Sequence, residues 1–331
     1  MLSRRSLDTR TCTVYHDNMA ARSRDSVERS PSSDSQMTYS RFLELFPDNA
    51  ACLDYLRDKF YPAGSECPRC SKATKFHKLK GRSAYSCQYC GHQVYPTAGT
   101  IFHKSTTSMQ LWFYAIYLMS STRCGISAKQ LGREIGTTYK TAHRMFKLIR
   151  TLMADDGEPL SGDVEVDETA YGGKPRAAET RTMGDRRTRP TWKKTTVLGM
   201  VERGGRVRAR IVPNRGGVAI KGQMHEHVLP ASMIFTDEWP LYNGTDKVYR
   251  GHKRIKHKAR IYVDGDTHTN TIEGFFGLVK NGIRGVYHSV STRYLQSYLN
   301  EYAFRYNQRN SAKPMFWAIL DQVEKDALAA P

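Results

Sequence analysis

Residues 163–170 read Asp163-Val164-Glu165-Val166-Asp167-Glu168-Thr169-Ala170. Val164 and Val166 alternating with acids give the period of two that marks a strand. Two more strands are expected at Thr195–Val201 and Val207–Val212, joined through Gly204-Gly205, a dipeptide suited to a hairpin turn. Further on, the pattern predicts a helix over Ile220–Val228. It also predicts short strands at Met233–Phe235, running out at Asp237, and at Ile261–Val263. Helices follow over Thr269–Asn281 and Ser291–Gln308. Three strands, then helix, strand, strand and helix is the order of an α+β or mixed α/β domain, placed here at residues 156–310.

Upstream of that domain the period is helical. From Met37, apolar residues at Phe42, Leu43, Leu45, Phe46, Cys52, Leu53 and Leu56 recur mostly at three- and four-residue steps. Ser108–Ser121 forms a third helical run. Gly125–Met153 reads as two helices broken at Gly136, with Ser127 as the first N-cap and Thr137 or Thr138 as the second. Leu131 and Ile135 share one face of the first helix. Ala142, Phe146 and Ile149 give the second an apolar face and leave Lys140, Arg144 and Lys147 outward. That is the pattern of a helix-turn-helix, whose second helix enters a major groove; an ordinary helical hairpin is the plainer reading. This region is assigned to residues 105–155.

Residues 37–104 are assigned to the first helical segment plus a cysteine module that runs from Cys67 to Cys90. Cys67-Pro-Arg-Cys70 and Cys87-Gln-Tyr-Cys90 are two Cys-x-x-Cys pairs with 16 residues between them. Four thiolates on two knuckles make the soft tetrahedral set that zinc prefers, and four protein ligands leave no open position, so the zinc is expected to be structural. Cys12, Cys52 and Cys124 lie outside this spacing and read as ordinary thiols. His77, His92 and His103 are not expected as ligands.

The chain has 331 residues with 51 Lys+Arg against 32 Asp+Glu, a formal charge of +19. Such a surplus points to a polyanionic partner, above all nucleic acid. The longest strongly apolar stretch, Leu111–Met119, has nine residues, against about 20 for a membrane span, which excludes an integral helical membrane protein. Residues 1–36 hold eight serines, six arginines and five acids without a hydrophobic period, and read as a disordered tail or an over-extended start. Residues 311–331 read as a C-terminal tail.

Three acids stand out in the second half: Asp167 in the first strand, Asp237 at the end of a short apolar strand, and Glu273 one turn into a helix. Carboxylates from two strands and one helix can converge at one sheet edge. Such a cluster repels itself unless cations occupy it, and hard oxygens select Mg²⁺ or Mn²⁺. Two such ions suit phosphodiester chemistry; three unrelated surface acids are the plainer reading. Lys280, seven residues after Glu273, falls on the same helix face, and Asn270 is either a ligand or a helix cap. Glu168, Glu238, Asp264 and Asp266 are rival acids, of which Glu168 and Glu238 should face away from their strand neighbours. Lys174–Lys194 carries eight basic and two acidic residues, and Lys247–Arg260 seven basic residues and no acid, as a phosphate-binding surface requires. No Gly-x-Ser-x-Gly elbow or credible Cys-His pairing supports a serine or cysteine hydrolase.

Together these residues resemble the zinc-ribbon DDE transposases of bacterial insertion sequences, the ISXO-like group. The motifs that carry the resemblance run in order. They are the two cysteine pairs, Pro96-Thr-Ala-Gly-Thr-Ile-Phe-His103, Ile126-Ser-Ala-Lys-Gln-Leu131, Val166-Asp-Glu-Thr169 and Tyr171-Gly-Gly173. They continue with His268-Thr-Asn-Thr-Ile-Glu273, Gly285-Val-Tyr-His-Ser-Val-Ser291 and Phe304-Arg-Tyr-Asn307. The resemblance spans roughly residues 37–310 and implies an α+β multidomain chain: zinc ribbon and helix-turn-helix, then an RNase H-like catalytic domain. It implies Asp167, Asp237 and Glu273 as the magnesium-binding triad and Lys280 as a DNA contact. In this group an Asn sometimes replaces the third acid, so Asn270 and Glu273 both stand as the third ligand. The expected function is Mg²⁺-dependent cleavage and strand transfer of double-stranded DNA, element ends and target, by a homo-oligomer in the bacterial cytoplasm, at the nucleoid. A domesticated DNA-binding protein without catalysis and a metal-dependent nuclease are the alternatives.

Overall fold

The computed structural model describes residues 36–122, 124–154, 157–172, 194–255 and 268–325. Residues 1–35, most of the basic run Lys174–Lys194, the expected strand Ile261–Val263 and the acids Asp264 and Asp266 lie outside them.

The N-terminal half is built on helices α1 (Tyr39–Leu45), α2 (Asn49–Phe60), α3 (Met109–Ser121), α4 (Ala128–Glu134) and α5 (Tyr139–Thr151), with a three-stranded ribbon of β1 (Phe76–Lys78), β2 (Tyr85–Cys87) and β3 (Gln93–Val94) between α2 and α3. The caps explain the helix starts. Thr38, Asp48, Ser108, Ser127 and Thr138 each accept a hydrogen bond from the amide three residues on. α4 and α5 are separated at Gly136, whose φ of +65° is a conformation that glycine adopts without penalty. Phe42, Phe46, Leu53, Leu56, Trp112, Phe113, Leu131, Phe146 and Ile149 share one core with the ribbon. Leu43, grouped with them by periodicity, is 41% exposed.

The C-terminal half is a five-stranded sheet in the order β6-β5-β4-β7-β8. β4 (Asp163–Tyr171), β5 (Thr195–Glu202) and β6 (Val207–Val212) run antiparallel, with Gly204 at φ +74° in the expected hairpin. β7 (Met233–Asp237) lies parallel to β4, and β8 (Gly251–Ile255) parallel to β7. β8 was not anticipated from sequence, where its residues read only as part of a basic run. Two layers of helix cover the sheet. α6 (Gly217–His227) packs with Val164, Val166, Leu198, Met200 and Ile234 on one face. On the other, α7 (Asn270–Gly282) and α8 (Thr292–Asn307) pack with Val197, Val201, Val207 and Ala209. α8 also closes the β6 edge. The Gln296 amide bonds Ile211 N and Ala209 O, and the Asn307 amide bonds Val207 N and O, at 2.8–3.1 Å. Side chains thus occupy an edge that would otherwise invite another strand.

The stretch expected as a C-terminal tail contains a further helix, α9 (Met315–Asp321). Phe316, Ile319 and Leu320 join the N-terminal core, and Lys59 of α2 donates to the carbonyls of Leu320 and Asp321 at the helix end. The chain therefore returns to its N-terminal module after completing the sheet. No described helix is long and apolar enough to cross a membrane.

Candidate active site

The parallel pairing of β4 with β7 sets Glu165 opposite Phe235. Past this last pair, Asp167 lies two residues on along β4 and Asp237 two residues on along β7, where β7 ends. Odd-numbered positions of β4 face α7: Asp167 pairs with Gly199, whose neighbours Val197 and Val201 pack under that helix. Even positions face α6, and Glu168 accordingly takes a 2.6 Å hydrogen bond from Tyr242, in the α6-side core. The expected division between Asp167 and Glu168 is thus explained by the pleat.

Glu273 lies in the first turn of α7, exposed, and accepts a hydrogen bond from Thr269 Oγ1 at 3.2 Å. The apolar face of α7 (Ile272, Phe275, Phe276, Val279) is buried on the sheet, which leaves Glu273 and Lys280 on its flank. Thr269, not Asn270, occupies the N-cap position, and Asn270 is an exposed first residue of the helix.

The electrostatics join these acids. Burial, then the neighbouring Glu168, Asp237 and Glu273, push the Asp167 carboxyl up to about 7, against a hydrogen bond from the Glu168 amide at 2.8 Å. Burial and the proximity of Asp237 also raise Glu168. Asp237 Oδ1 accepts from Trp239 N at 3.0 Å, which fixes that carboxylate at the strand end. Hard oxygens in mutual repulsion are the donor chemistry that suits divalent cations. The oxygens do not close to the spacing of one ion's shell: among the described residues, the four cysteines are the only group of three or more such side chains whose ligand atoms all lie within 4.8 Å of one another.

Sequence reasoning missed the residue beneath this cluster. Glu165, read as one of the acids alternating with valines, is fully buried. Its carboxylate accepts from Thr271 N (2.9 Å), Ile272 N (3.1 Å), Thr271 Oγ1 (3.0 Å) and Arg203 Nε (2.9 Å). His268 Nδ1 lies 3.0 Å away without hydrogen-bond geometry. The only sequence signal is an acid on the same strand face as Asp167.

The cysteine cluster is compact. Cys67 and Cys90 sulfurs are 3.6 Å apart, and Cys70 and Cys87 3.9 Å. A tetrahedral shell with Zn–S of about 2.3 Å places sulfurs about 3.8 Å apart, so the four fit a zinc ion without rearrangement. Each knuckle ends in a left-handed residue, Ser71 (φ +54°) and Gly91 (φ +69°). Burial works against a Cys87 thiolate, but hydrogen bonds from Thr74 and the Cys90 and Tyr89 amides pull that thiol down to about 6. Cys52, by contrast, is pushed up to about 12 by burial, as an inert core thiol is. His103 Nδ1 accepts from Gly99 N within its own turn. Lys140, Arg144 and Lys147 are all exposed on α5, as expected.

Comparison with known proteins agrees with this layout. Residues 47–93 match the transposase zinc-ribbon domain, and residues 159–307 the ISXO2-like transposase domain. An uncharacterised protein in transposable element ISH50 of Halobacterium salinarum is 26% identical over 250 residues, 71% of this chain and 84% of the relative. Among solved structures, a chain of a pre-cleavage Mos1 transpososome is 11% identical, with 60% of this chain and 74% of that chain covered at a TM-score of 0.25, too slight a likeness to inform the fold. The chain therefore resembles the zinc-ribbon transposases of insertion sequences in two stretches, one similar to a transposase zinc ribbon and one similar to an ISXO2-like transposase domain.

Proposed function

We propose that the protein is a DNA transposase that binds the terminal inverted repeats of its element and carries out Mg²⁺- or Mn²⁺-dependent strand cleavage and transfer in an RNase H-like domain. The observation that carries this reading is the parallel register of β4 and β7: Asp167 and Asp237 each lie two residues beyond its last pair, Glu165 with Phe235, and both Asp237 and Glu273 are near enough to help raise the Asp167 carboxyl. The strand order, with three antiparallel strands followed by two parallel ones, supports the RNase H-like assignment.

Asp167, Asp237 and Glu273 would hold two divalent cations, which supply activation of the attacking oxygen and stabilisation of the leaving one. The chain's own groups orient that site: the Glu168 amide fixes Asp167, the Trp239 amide fixes Asp237, and the Thr269 hydroxyl turns Glu273. Lys280, two helical turns beyond Glu273 on the same flank, contacts a phosphate of the bound strand. α4 and α5 act as a helix-turn-helix, with Lys140, Arg144 and Lys147 on DNA, and a structural zinc in the ribbon holds the fold beside them. Both ends must be paired before transfer, so the working form is at least a dimer on DNA.

The test is a strand-transfer assay with labelled end DNA, a plasmid target and Mg²⁺, run beside Asp237→Ala. Joined product that vanishes in the variant is the expected result. Binding with no cleavage in Mg²⁺ or Mn²⁺ would favour a DNA-binding protein without catalysis, and cleavage without joining a nuclease. Arg144→Ala should weaken end binding and reduce the slope of log K against log salt by about 1, the loss of one phosphate contact.

A further inference from the structure

We propose that Glu165 is a positioning residue for the metal site: a buried carboxylate that caps the helix bearing Glu273 and ties it to the two strands bearing Asp167 and Asp237. The inference rests on the reading of those three acids as metal ligands and adds a residue that the reading does not use.

α7 begins without a cap of its own. Thr269, at its N-cap, makes no side-chain bond to the helix amides. The amides of the second and third helical residues, Thr271 and Ile272, point instead at Glu165 Oε2, at 2.9 and 3.1 Å. A capping side chain ordinarily comes from the residue before the helix and bonds these same positions. Here the acceptor comes from β4, more than one hundred residues earlier in the chain. A negative charge at a helix N-terminus is further favoured by the helix dipole. The other carboxylate oxygen takes Thr271 Oγ1 and Arg203 Nε.

The same cluster reaches the third ligand-bearing element. The Arg203 guanidinium stacks on Phe235 at 3.8 Å, and Phe235 is paired with Glu165 across β4 and β7. Arg203 also donates to the carbonyl of His268, which fixes the chain as it enters α7. Each of the three acids therefore lies a short step from this hub. Asp167 is two residues along β4 from Glu165, Asp237 is two residues along β7 from Phe235, and Glu273 is two residues along α7 from Thr271. Glu165 itself is too deep to reach DNA or an ion at the strand ends, since it is fully buried and its oxygens are occupied. It acts through the placement of Glu273 relative to the two aspartates. Removing a partner that orients a metal ligand typically costs about 10–100-fold in metal affinity or activity.

The experiment is a Mn²⁺ titration of end cleavage and, separately, of direct Mn²⁺ binding by calorimetry, on full-length protein. Zinc content and end binding serve as checks on folding. Glu165→Gln keeps the shape but removes the charge and one of the two oxygens that accept from the Thr271 and Ile272 amides, the Thr271 hydroxyl and Arg203. The expected result is stoichiometric zinc and intact end binding, with the Mn²⁺ half-saturation raised about 10–100-fold. In a Glu273→Ala background, Glu165→Gln should produce no further shift in Mn²⁺ binding, because the residue it acts through is already gone; a purely structural role would add its effect in both backgrounds. A wild-type half-saturation in Glu165→Gln, or an undiminished further shift in the Glu273→Ala background, overturns the proposal. If Glu165→Gln does not fold, Thr271→Val decides: it removes one donor to the same carboxylate, and an unchanged half-saturation there overturns the proposal. Asp167→Asn separates the two levels of inference. If it leaves Mn²⁺ binding and cleavage unaltered, the reading of the acids has failed. If it abolishes them while Glu165→Gln does not shift them, only the positioning role has failed.

Discussion

At the scale of single residues, Asp167 bears the largest electrostatic burden in the proposed site. An unfolded aspartate titrates near 3.9, whereas burial and the acids around Asp167 hold its folded carboxyl at about 7. A carboxyl whose folded value is raised binds its proton more tightly in the native state. Its contribution is fully present below the unfolded value and is lost as pH rises through about 7. Asp167→Asn should therefore raise the melting temperature of the cation-free protein at pH 8, by about 2–4 °C for each kcal/mol of relieved cost in a domain of this size. The gain should shrink at pH 5, and cleavage should be lost throughout. Scanning calorimetry in a chelating agent that spares the zinc would show this; a variant no more stable at pH 8 than at pH 5 would mean that Asp167 is not crowded as described. The places of these acids were legible in the sequence, because a strand, a strand end and a helix start can be located by pattern. Glu165 was not. Its burial is imposed by α7, which arrives from a distant part of the chain, and local alternation cannot distinguish an acid under a helix from one in water.

At the scale of elements, the site depends on how closely α7 approaches the sheet, and that distance is set by a missing side chain. Gly199 of β5 pairs with Asp167 and faces α7. A Cβ there would meet Ile272 Cδ1 and Phe276 Cζ at 2.6 Å. Glycine in a central strand commonly marks such a close approach. Gly199→Ala should force Ile272 and Phe276 outward, cost about 1–3 kcal/mol through overpacking, and lower cleavage by moving Glu273 away from Asp167. Thermal melting together with the cleavage rate would test this; normal cleavage in a destabilised variant would show that the site tolerates a shifted helix. The elements that the sequence revealed are those with local signals: the capped helices α3, α4 and α5, and the hairpin of β5 and β6. Those it hid are stabilised from outside. β8, with Lys253 and Arg254 exposed, reads as a solvated basic run and becomes a strand because β7 offers an open edge. α9 has only seven residues and is held by the N-terminal core and by Lys59.

At the scale of the whole molecule, the N-terminal helical module and the sheet domain are fastened together through a buried ion cluster. Glu301 of α8 is fully buried. It takes Arg150 Nε of α5 at 2.7 Å and Arg305 Nη2 at 2.9 Å. Arg305 continues to the carbonyl of Thr122 beyond α3, and the Arg150 guanidinium lies 3.5 Å over Tyr298 and 3.9 Å over Phe146. Tyr287, in the π-helical turn Ile283–Tyr287 that follows α7, donates to the same carboxylate. The helix proposed to read DNA, the helix closing the β6 edge and the segment leaving Glu273's helix thus share one acid. Burial opposes the charge on Glu301, but Arg305 and Arg150 outweigh it and hold the carboxyl below its ordinary value. A depressed acid contributes stability that is complete above its unfolded value, near 4.3, and lost as pH falls through the folded one. Glu301→Gln leaves two guanidinium groups buried without their counter-ion and should cost about 3–5 kcal/mol at neutral pH. The stability difference from wild type should stay constant from pH 8 to about 5 and narrow below about 4. End binding should survive in the variant while cleavage falls, because α5 remains folded on its own core but is no longer fixed to the helices around the acids. Melting curves across pH, read beside binding and cleavage, make these expectations separable. Binding and cleavage falling in equal proportion would show that the cluster maintains the fold without coupling its halves, and a stability difference independent of pH down to 3 would remove Glu301's charge from the explanation.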